Sequence, residues 1–233
     1  MTGAVFDDLI GRLAGHPCIA PDLPGHGCAR GLPPTAEAWA ACIAETIAPL
    51  HAPVLVGWSM GAAAVWHYLG AHGTRGIAGL VTVDMSPRMR PAPDWPHGLL
   101  GGREAAIEDT ARRIETDWEG ASHGIAASMF AGAAEAPRDA ARRVILSQDP
   151  QAMRAAWETL GDMDARADVP GIALPWLVCS GAQSRVYPAS ASDWIADHAP
   201  HARRLVFRQS GHSPHLEEPE AFARVLRAFA KAV

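Results

Sequence analysis

The chain has 233 residues, of which 48% are hydrophobic and 19% are charged, enough apolar sequence for a globular domain with a sizeable core. A net charge of -5 argues against nucleic acid or an anionic membrane as the main partner. The four cysteines lack metal-ligand spacing and the eleven histidines form no HExxH pattern, so we expect no metal site.

The N-terminal sequence, residues 1–8, carries acidic residues where a secretory signal would need a basic flank. No apolar run has the length of a membrane span. We therefore expect a cytoplasmic protein with reduced thiols and no membrane partner.

Strand-like and helix-like segments alternate along most of the chain. The predicted strands lie at residues 18–20, 52–56, 77–84, 172–180 and 203–208. The predicted helices beside them lie at residues 3–15, 35–48, 62–69 and 219–232. Thr2 and Thr35 are the expected N-caps of the first two helices, because a threonine hydroxyl can accept a backbone N–H bond there. This alternation indicates an α/β fold with a mostly parallel sheet and helices on both faces.

Between residues 87 and 170 the alternation stops. Four helices are predicted in this segment, at residues 103–119, 121–132, 137–148 and 151–161. We expect the segment 87–170 to be a helical cap over the carboxyl ends of the strands, inserted in a core of residues 1–86 and 171–233.

The pentapeptide Gly57–Gly61 places Ser59 between two glycines, directly after an apolar strand and before a helix. A serine at such a junction needs a sharp turn, and glycines on both sides are expected to relieve the crowding. The turn holds the hydroxyl above the sheet at a helix N-terminus, as in a nucleophilic serine. The simpler interpretation is a helix N-cap serine.

A nucleophilic serine needs a base within hydrogen-bond reach. The candidate is His212, because its loop directly follows the last predicted strand and therefore lies at the same sheet edge as Ser59. His215 is the competitor, but its position favours packing or capping at the start of the terminal helix.

These features resemble the α/β-hydrolase fold family. The resemblance is carried by residues 20–27, the Gly57–Gly61 turn, and residues 210–212 leading into 219–222. It implies that Ser59 is the nucleophile and His212 the base. Among its members, the chain is similar to the small serine carboxylesterases, including pimeloyl-carrier-protein methyl ester esterases.

One departure from the family concerns the acid that orients the histidine. Family members usually place an Asp after the strand that corresponds to 172–180, and here that position holds Ser184. We expect Asp84 to be the acid instead, because it ends a neighbouring strand at the same sheet edge. Asp193 is expected to point away, and Asp22 to be structural.

Asp84 also has a structural interpretation, since it could simply cap the turn into Ser86 and Pro87. Family members with the later acid often keep an Asp at this position as well. The two interpretations differ in whether the carboxylate meets His212.

A second departure concerns the oxyanion hole. The resemblance implies that the N–H of Met60 is one donor, but the family's early His-Gly turn has no counterpart before Thr2. The strand that carries this turn is therefore predicted to be missing. The alternatives are a misassigned start, a sheet that has re-paired, or a non-catalytic copy, and we favour the first.

The resulting expectation is ester hydrolysis through an acyl-enzyme, without a cofactor. Trp58 and Trp95 are predicted walls of the substrate site, and the substrate is expected to be a small ester that a carrier protein could hold. The alternatives are a thioesterase, a lactonase, a cofactor-independent lyase, or a binding protein that has lost catalysis.

Overall fold

The computed structural model describes residues 1–102, 104–132 and 135–233. The α-helices are α1 (Asp7–Arg12), α2 (Ala36–Ile47), α3 (Met60–His72), α4 (Glu104–Thr116), α5 (Trp118–Ser128), α6 (Glu135–Leu146), α7 (Pro150–Asp162), α8 (Ala189–His198), α9 (Pro214–Glu217) and α10 (Pro219–Ala232). The strands are β1 (Val54–Trp58), β2 (Gly79–Val83), β3 (Trp176–Gly181) and β4 (Ala202–Phe207). In the described ranges, no helix is both long and apolar enough to cross a membrane.

The described strands form one parallel sheet in the order β1-β2-β3-β4. Because the strands are parallel and connected by crossovers, all their carboxyl ends lie at one edge. Trp58 pairs with Val83 in the register of β1 and β2, so the residues that follow these two strands are neighbours at that edge. The predicted α/β class is confirmed.

Helices cover both faces of the sheet. On one face α2, α3 and α8 pack around fully buried Trp39, Trp66 and Trp176. On the other face α1 and α10 pack over β-strand side chains, with Leu9 and Phe222 in the interface. The terminal helix buries one apolar stripe, which is why its predicted range of 219–232 agrees with the observed one.

Helices α4 to α7 fall within the segment predicted as a cap. Its two ends meet through an isolated β-bridge between Arg88 and Asp164, and Ala165 N donates to Pro87 O at 2.8 Å. The paired ends show how residues 88–164 can be inserted between β2 and β3 without separating the strands. The division into a core and a cap stays a prediction.

The N-terminal expectations need correction. Residues 18–20 form no strand: β1 pairs only with β2 among the described strands, and no described strand lies along its other edge. Ile19 is 59% exposed, so this short apolar run is not a buried strand. The alternative of a re-paired sheet, in which this segment would pair directly with β1, is not observed among the described strands.

The two expected helix caps have different outcomes. Thr35 accepts a hydrogen bond from Ala38 N at 3.2 Å, as predicted. Thr2 makes no side-chain capping bond, and the first segment is a 3-10 turn, Gly3–Phe6, followed by the short α1. The predicted helix to residue 15 is wrong in its end: α1 ends at Arg12 with Leu13 as its C-cap, and Gly15 lies in the following turn with a left-handed φ of 86°.

Candidate active site

Ser59 lies in the sharp turn that joins β1 to α3. Its φ of 51° and ψ of -124° are unusual for a residue with a side chain, and its N–H donates to Val83 O at 3.0 Å. The hydroxyl makes no capping bond to α3, which argues against the simple N-cap interpretation. The turn instead leaves the hydroxyl at the carboxyl edge of the sheet.

The two glycines that flank Ser59 have different roles. A Cβ on Gly57 would lie 2.6 Å from Ala62 Cα, so only glycine lets β1 approach α3 this closely. A Cβ on Gly61 would meet nothing within 4 Å. The expectation that both glycines prevent a clash is therefore wrong for Gly61.

Asp84 and His212 meet across the sheet edge. Asp84 follows β2 directly, is 3% exposed, and places Oδ2 2.6 Å from Nδ1 of His212. Because a carboxylate only accepts hydrogen bonds, the proton of the neutral ring belongs on Nδ1, and Nε2 is free to accept another proton. The Asp84 carboxylate therefore contacts His212, as required if Asp84 is the acid that orients the histidine and not only the cap of a turn.

Ser184 completes this cluster in an unexpected way. Its hydroxyl donates to Asp84 Oδ2 at 2.6 Å, the same oxygen that His212 contacts, and it accepts a bond from Val186 N at 3.3 Å. The sequence places Ser184 near the histidine but does not indicate that it binds the acid. Only the pairing of β2 with β3 brings the two loops together.

The other candidate acids and the competing histidine lie elsewhere. Asp193, on α8, forms an ion pair with Arg204. Asp22 accepts the N–H groups of Gly3 and Cys28, at 2.7 Å and 2.8 Å, and so has the structural role predicted for it. His215 is 1% exposed, and its ring packs at 5.0 Å from Phe6, in agreement with the packing interpretation.

The two predicted tryptophans have different positions. Trp58 lines the cavity beside Ser59, and its indole N–H donates to His212 O at 2.7 Å. Trp95 is 2% exposed, does not line the cavity, and packs edge-on against Trp194. The prediction that Trp95 forms a wall of the substrate site is corrected, because its buried side chain packs against Trp194 and donates its indole N–H to Arg88 O.

Tyr187 is a residue of the site that the sequence did not indicate. Its ring lies 6.1 Å from that of His212, and it lines the same cavity. Burial, followed by the nearby negative charge of Asp84, raises the pKa of the Tyr187 phenol. The phenol therefore stays protonated at any working pH.

A cavity of about 520 Å³ opens over Ser59 and His212. Most of its wall is apolar, and the helices α4 to α7 contribute part of it, with Ile114 and Leu160 among the buried contributors. Volume and lining are typical of a small-molecule site with few polar groups. Within the described ranges, no cluster of three or more potential metal ligands is found.

The sequence profile of the alpha/beta hydrolase family matches residues 2–225. The chain belongs to this family. The hydrolase is 34% identical to a pimeloyl-acyl-carrier-protein methyl ester esterase from Chromobacterium violaceum, over 96% of its own length and 88% of the relative's. It is 32% identical to an esterase of the same name from Aromatoleum aromaticum, over 89% and 84% of the two chains.

Solved structures agree with this assignment. An esterase from Exiguobacterium antarcticum superposes with a TM-score of 0.92 at 23% identity, covering 99% of the hydrolase and 88% of that chain. At this identity the likeness concerns the fold. The family match, the relatives and this structure together show that the chain is a carboxylic ester hydrolase of the serine type.

Proposed function

We propose that Ser59, His212 and Asp84 form the catalytic triad of this hydrolase. The observation that carries the proposal is the 2.6 Å contact between His212 Nδ1 and Asp84 Oδ2, beside the strained turn of Ser59. Ser59 and His212 also line one cavity. A serine, a histidine and a buried carboxylate in these roles perform acyl transfer on several unrelated folds.

In the proposed reaction, Ser59 attacks the ester carbonyl while His212 Nε2 takes the hydroxyl proton. Asp84 stabilises the imidazolium, and the N–H of Met60 donates to the developing oxyanion. Met60 begins α3, where a backbone N–H has no acceptor within the helix. His212 returns the proton to the leaving alcohol and then activates the water that hydrolyses the acyl-enzyme.

We further propose that the ester is carried on a carrier protein. The support is the name shared by the two curated relatives, which act on an ester of pimeloyl linked to an acyl-carrier protein. The apolar cavity suits an acyl chain of medium length. The cap helix α6 exposes Arg143 to solvent, while Arg142 pairs with Glu119 at 2.9 Å.

The test compares the wild-type chain with Ser59→Ala on three substrates: p-nitrophenyl butyrate, free methyl pimelate, and its carrier-linked form. We expect turnover of all three by the wild type, the highest kcat/KM on the carrier-linked ester, and none by the variant. Turnover that survives in Ser59→Ala contradicts the triad. Equal kcat/KM for the free and carrier-linked methyl esters contradicts the carrier proposal alone.

A further inference from the structure

Glu217 is a carboxylate that binds the backbone on both sides of His212. Its Oε2 accepts the N–H of Gly211 at 2.7 Å and that of Ser213 at 3.3 Å. Both neighbours of His212 are buried, so their N–H groups need an acceptor inside the protein. This one oxygen fixes the backbone of the His212 loop.

The second oxygen of Glu217 binds a different part of the molecule. Oε1 accepts the N–H of Ala131 at 2.6 Å, and Ala131 follows α5 in the segment predicted as the cap. The two backbones run close together here, because a Cβ on Gly211 would lie 2.7 Å from Ala131 N. Glu217 therefore bridges the His212 loop and the end of α5.

The loop that carries Ser184 is attached to the same end of α5. Arg185, next to Ser184, donates from Nη2 to the carbonyls of Ala127 and Phe130, each at 3.2 Å. Ser184 in turn binds Asp84. The segment of residues 127–131, which we call the α5 junction, thus contacts the loop of the base and the loop of Ser184, which binds the acid.

We propose that Glu217 is a positioning residue that holds His212 in register with Asp84 by fixing its loop to the α5 junction. The inference rests on the proposed function, since it assigns His212 as the base. A shift of about 1 Å in a reacting group can cost about 100-fold in rate. Loss of the Glu217 bridge would let the His212 loop move relative to Asp84, which would still receive its hydrogen bond from Ser184.

Glu217→Gln is the sharpest variant. Both oxygens of Glu217 accept hydrogen bonds, but glutamine offers one carbonyl oxygen and one NH2 group. The variant is nearly isosteric, yet its NH2 group must face an N–H donor on one side of the bridge. Either the loop or the α5 junction then loses its acceptor.

Glu218→Gln is the matched control. Glu218 uses only Oε2, which accepts from Gln209 N at 3.0 Å and from Ser210 Oγ at 2.6 Å. The single carbonyl oxygen of a glutamine can keep both bonds. The control therefore removes a charge from the same loop without removing an acceptor that is in use.

The experiment measures kcat, KM and the pH profile of kcat/KM with p-nitrophenyl butyrate, alongside the melting temperature. We expect Glu217→Gln to lower kcat by about 10- to 100-fold with KM changed less than about 3-fold. The ascending limb of its pH profile should move to lower pH, because an imidazolium held less well by Asp84 loses its proton more easily. Glu218→Gln should keep kcat within about 3-fold of the wild type.

A purely structural role would lower the melting temperature and leave kcat and the pH limb unchanged, and this result overturns the inference. Should Glu217→Gln fail to fold, Ala131→Pro removes the N–H at the junction and keeps Glu217. An unchanged kcat in that variant overturns the inference as well. Activity retained in Ser59→Ala instead contradicts the proposed function itself.

Discussion

At the scale of single residues, the site depends on a carboxylate that serves two partners. Asp84 Oδ2 receives hydrogen bonds from both His212 and Ser184, each at 2.6 Å. Asp84 also adopts a left-handed backbone with φ of 46°, which aspartate tolerates better than most residues. The backbone aims the carboxylate and the Ser184 hydroxyl fixes which oxygen meets the histidine.

Asp84→Asn tests the acid. The amide keeps the shape of the side chain but cannot stabilise an imidazolium, and it favours the wrong tautomer of His212. We expect kcat on p-nitrophenyl butyrate to fall by about 10³- to 10⁴-fold. Asp193→Asn, on α8 where Asp193 pairs with Arg204, serves as the control and should match the wild type. A fall of less than 10-fold in Asp84→Asn would contradict the assignment.

Ser184→Asp in the Asp84→Asn background tests whether the acid can move. Ser184 Oγ and His212 Nδ1 both contact the same oxygen, so a carboxylate at position 184 starts close to the imidazole. We expect the double variant to recover at least 10-fold in kcat over Asp84→Asn alone. The comparison uses steady-state rates at one pH, with Ser184→Asn as the uncharged control. Equal recovery by the control would show that charge is not the cause.

At the scale of elements, the turn between β1 and α3 depends on its two glycines unequally. Gly57 lies where β1 passes closest to the backbone of Ala62, whereas Gly61 is already inside α3 with open space around it. A glycine inside a helix is less favourable than alanine by roughly 0.5–1 kcal/mol. The same substitution should therefore have opposite effects at the two positions.

Gly57→Ala and Gly61→Ala form the matched pair for this argument. We expect Gly57→Ala to reduce the free energy of unfolding by at least about 2 kcal/mol, because backbone atoms must move to admit the methyl group. Gly61→Ala should raise it by about 0.5–1 kcal/mol. Urea denaturation of both variants provides the measurement. A similar loss in both would contradict the structural account of the turn.

At the scale of the whole molecule, two buried histidines link stability to pH. Burial lowers the pKa of His215 to about 3 and that of His26 to about 4. Among the described residues, neither ring nitrogen of His215 has a hydrogen-bond partner. In the unfolded chain an ordinary histidine has a pKa of about 6.5, so the unfolded state binds more protons as the pH falls below that value.

The sign of the effect follows from this difference. Between about pH 6.5 and the lowered folded values, acid favours the unfolded chain by about 1.4 kcal/mol per pH unit for each such histidine. His215→Phe should therefore reduce the loss of unfolding free energy between pH 7 and pH 5 by about 2 kcal/mol. Urea denaturation at the two pH values gives this difference, and exposed His201→Gln is the control. An unchanged loss in His215→Phe would contradict the prediction.

Much of the fold could be predicted because it follows from local patterns. The stripe of α10, the apolar runs of β2 and β3, and the Thr35 cap each depend on residues near one another in sequence. The prediction of a strand at residues 18–20 was wrong because a strand needs a neighbouring strand to pair with. An apolar run of three residues does not show whether one is present.

The sequence by itself determined the strand–turn–helix around Ser59 and the position of His212 after the last strand. Tertiary structure decided the rest of the site. Asp84 and His212 are 128 residues apart, and Glu217 meets Ala131 across 86 residues. Such contacts depend on the register of the sheet and on where the inserted helices rest. Local patterns of residues do not encode these long-range distances, since a hydrogen bond forms only when packing brings its two atoms within about 3 Å.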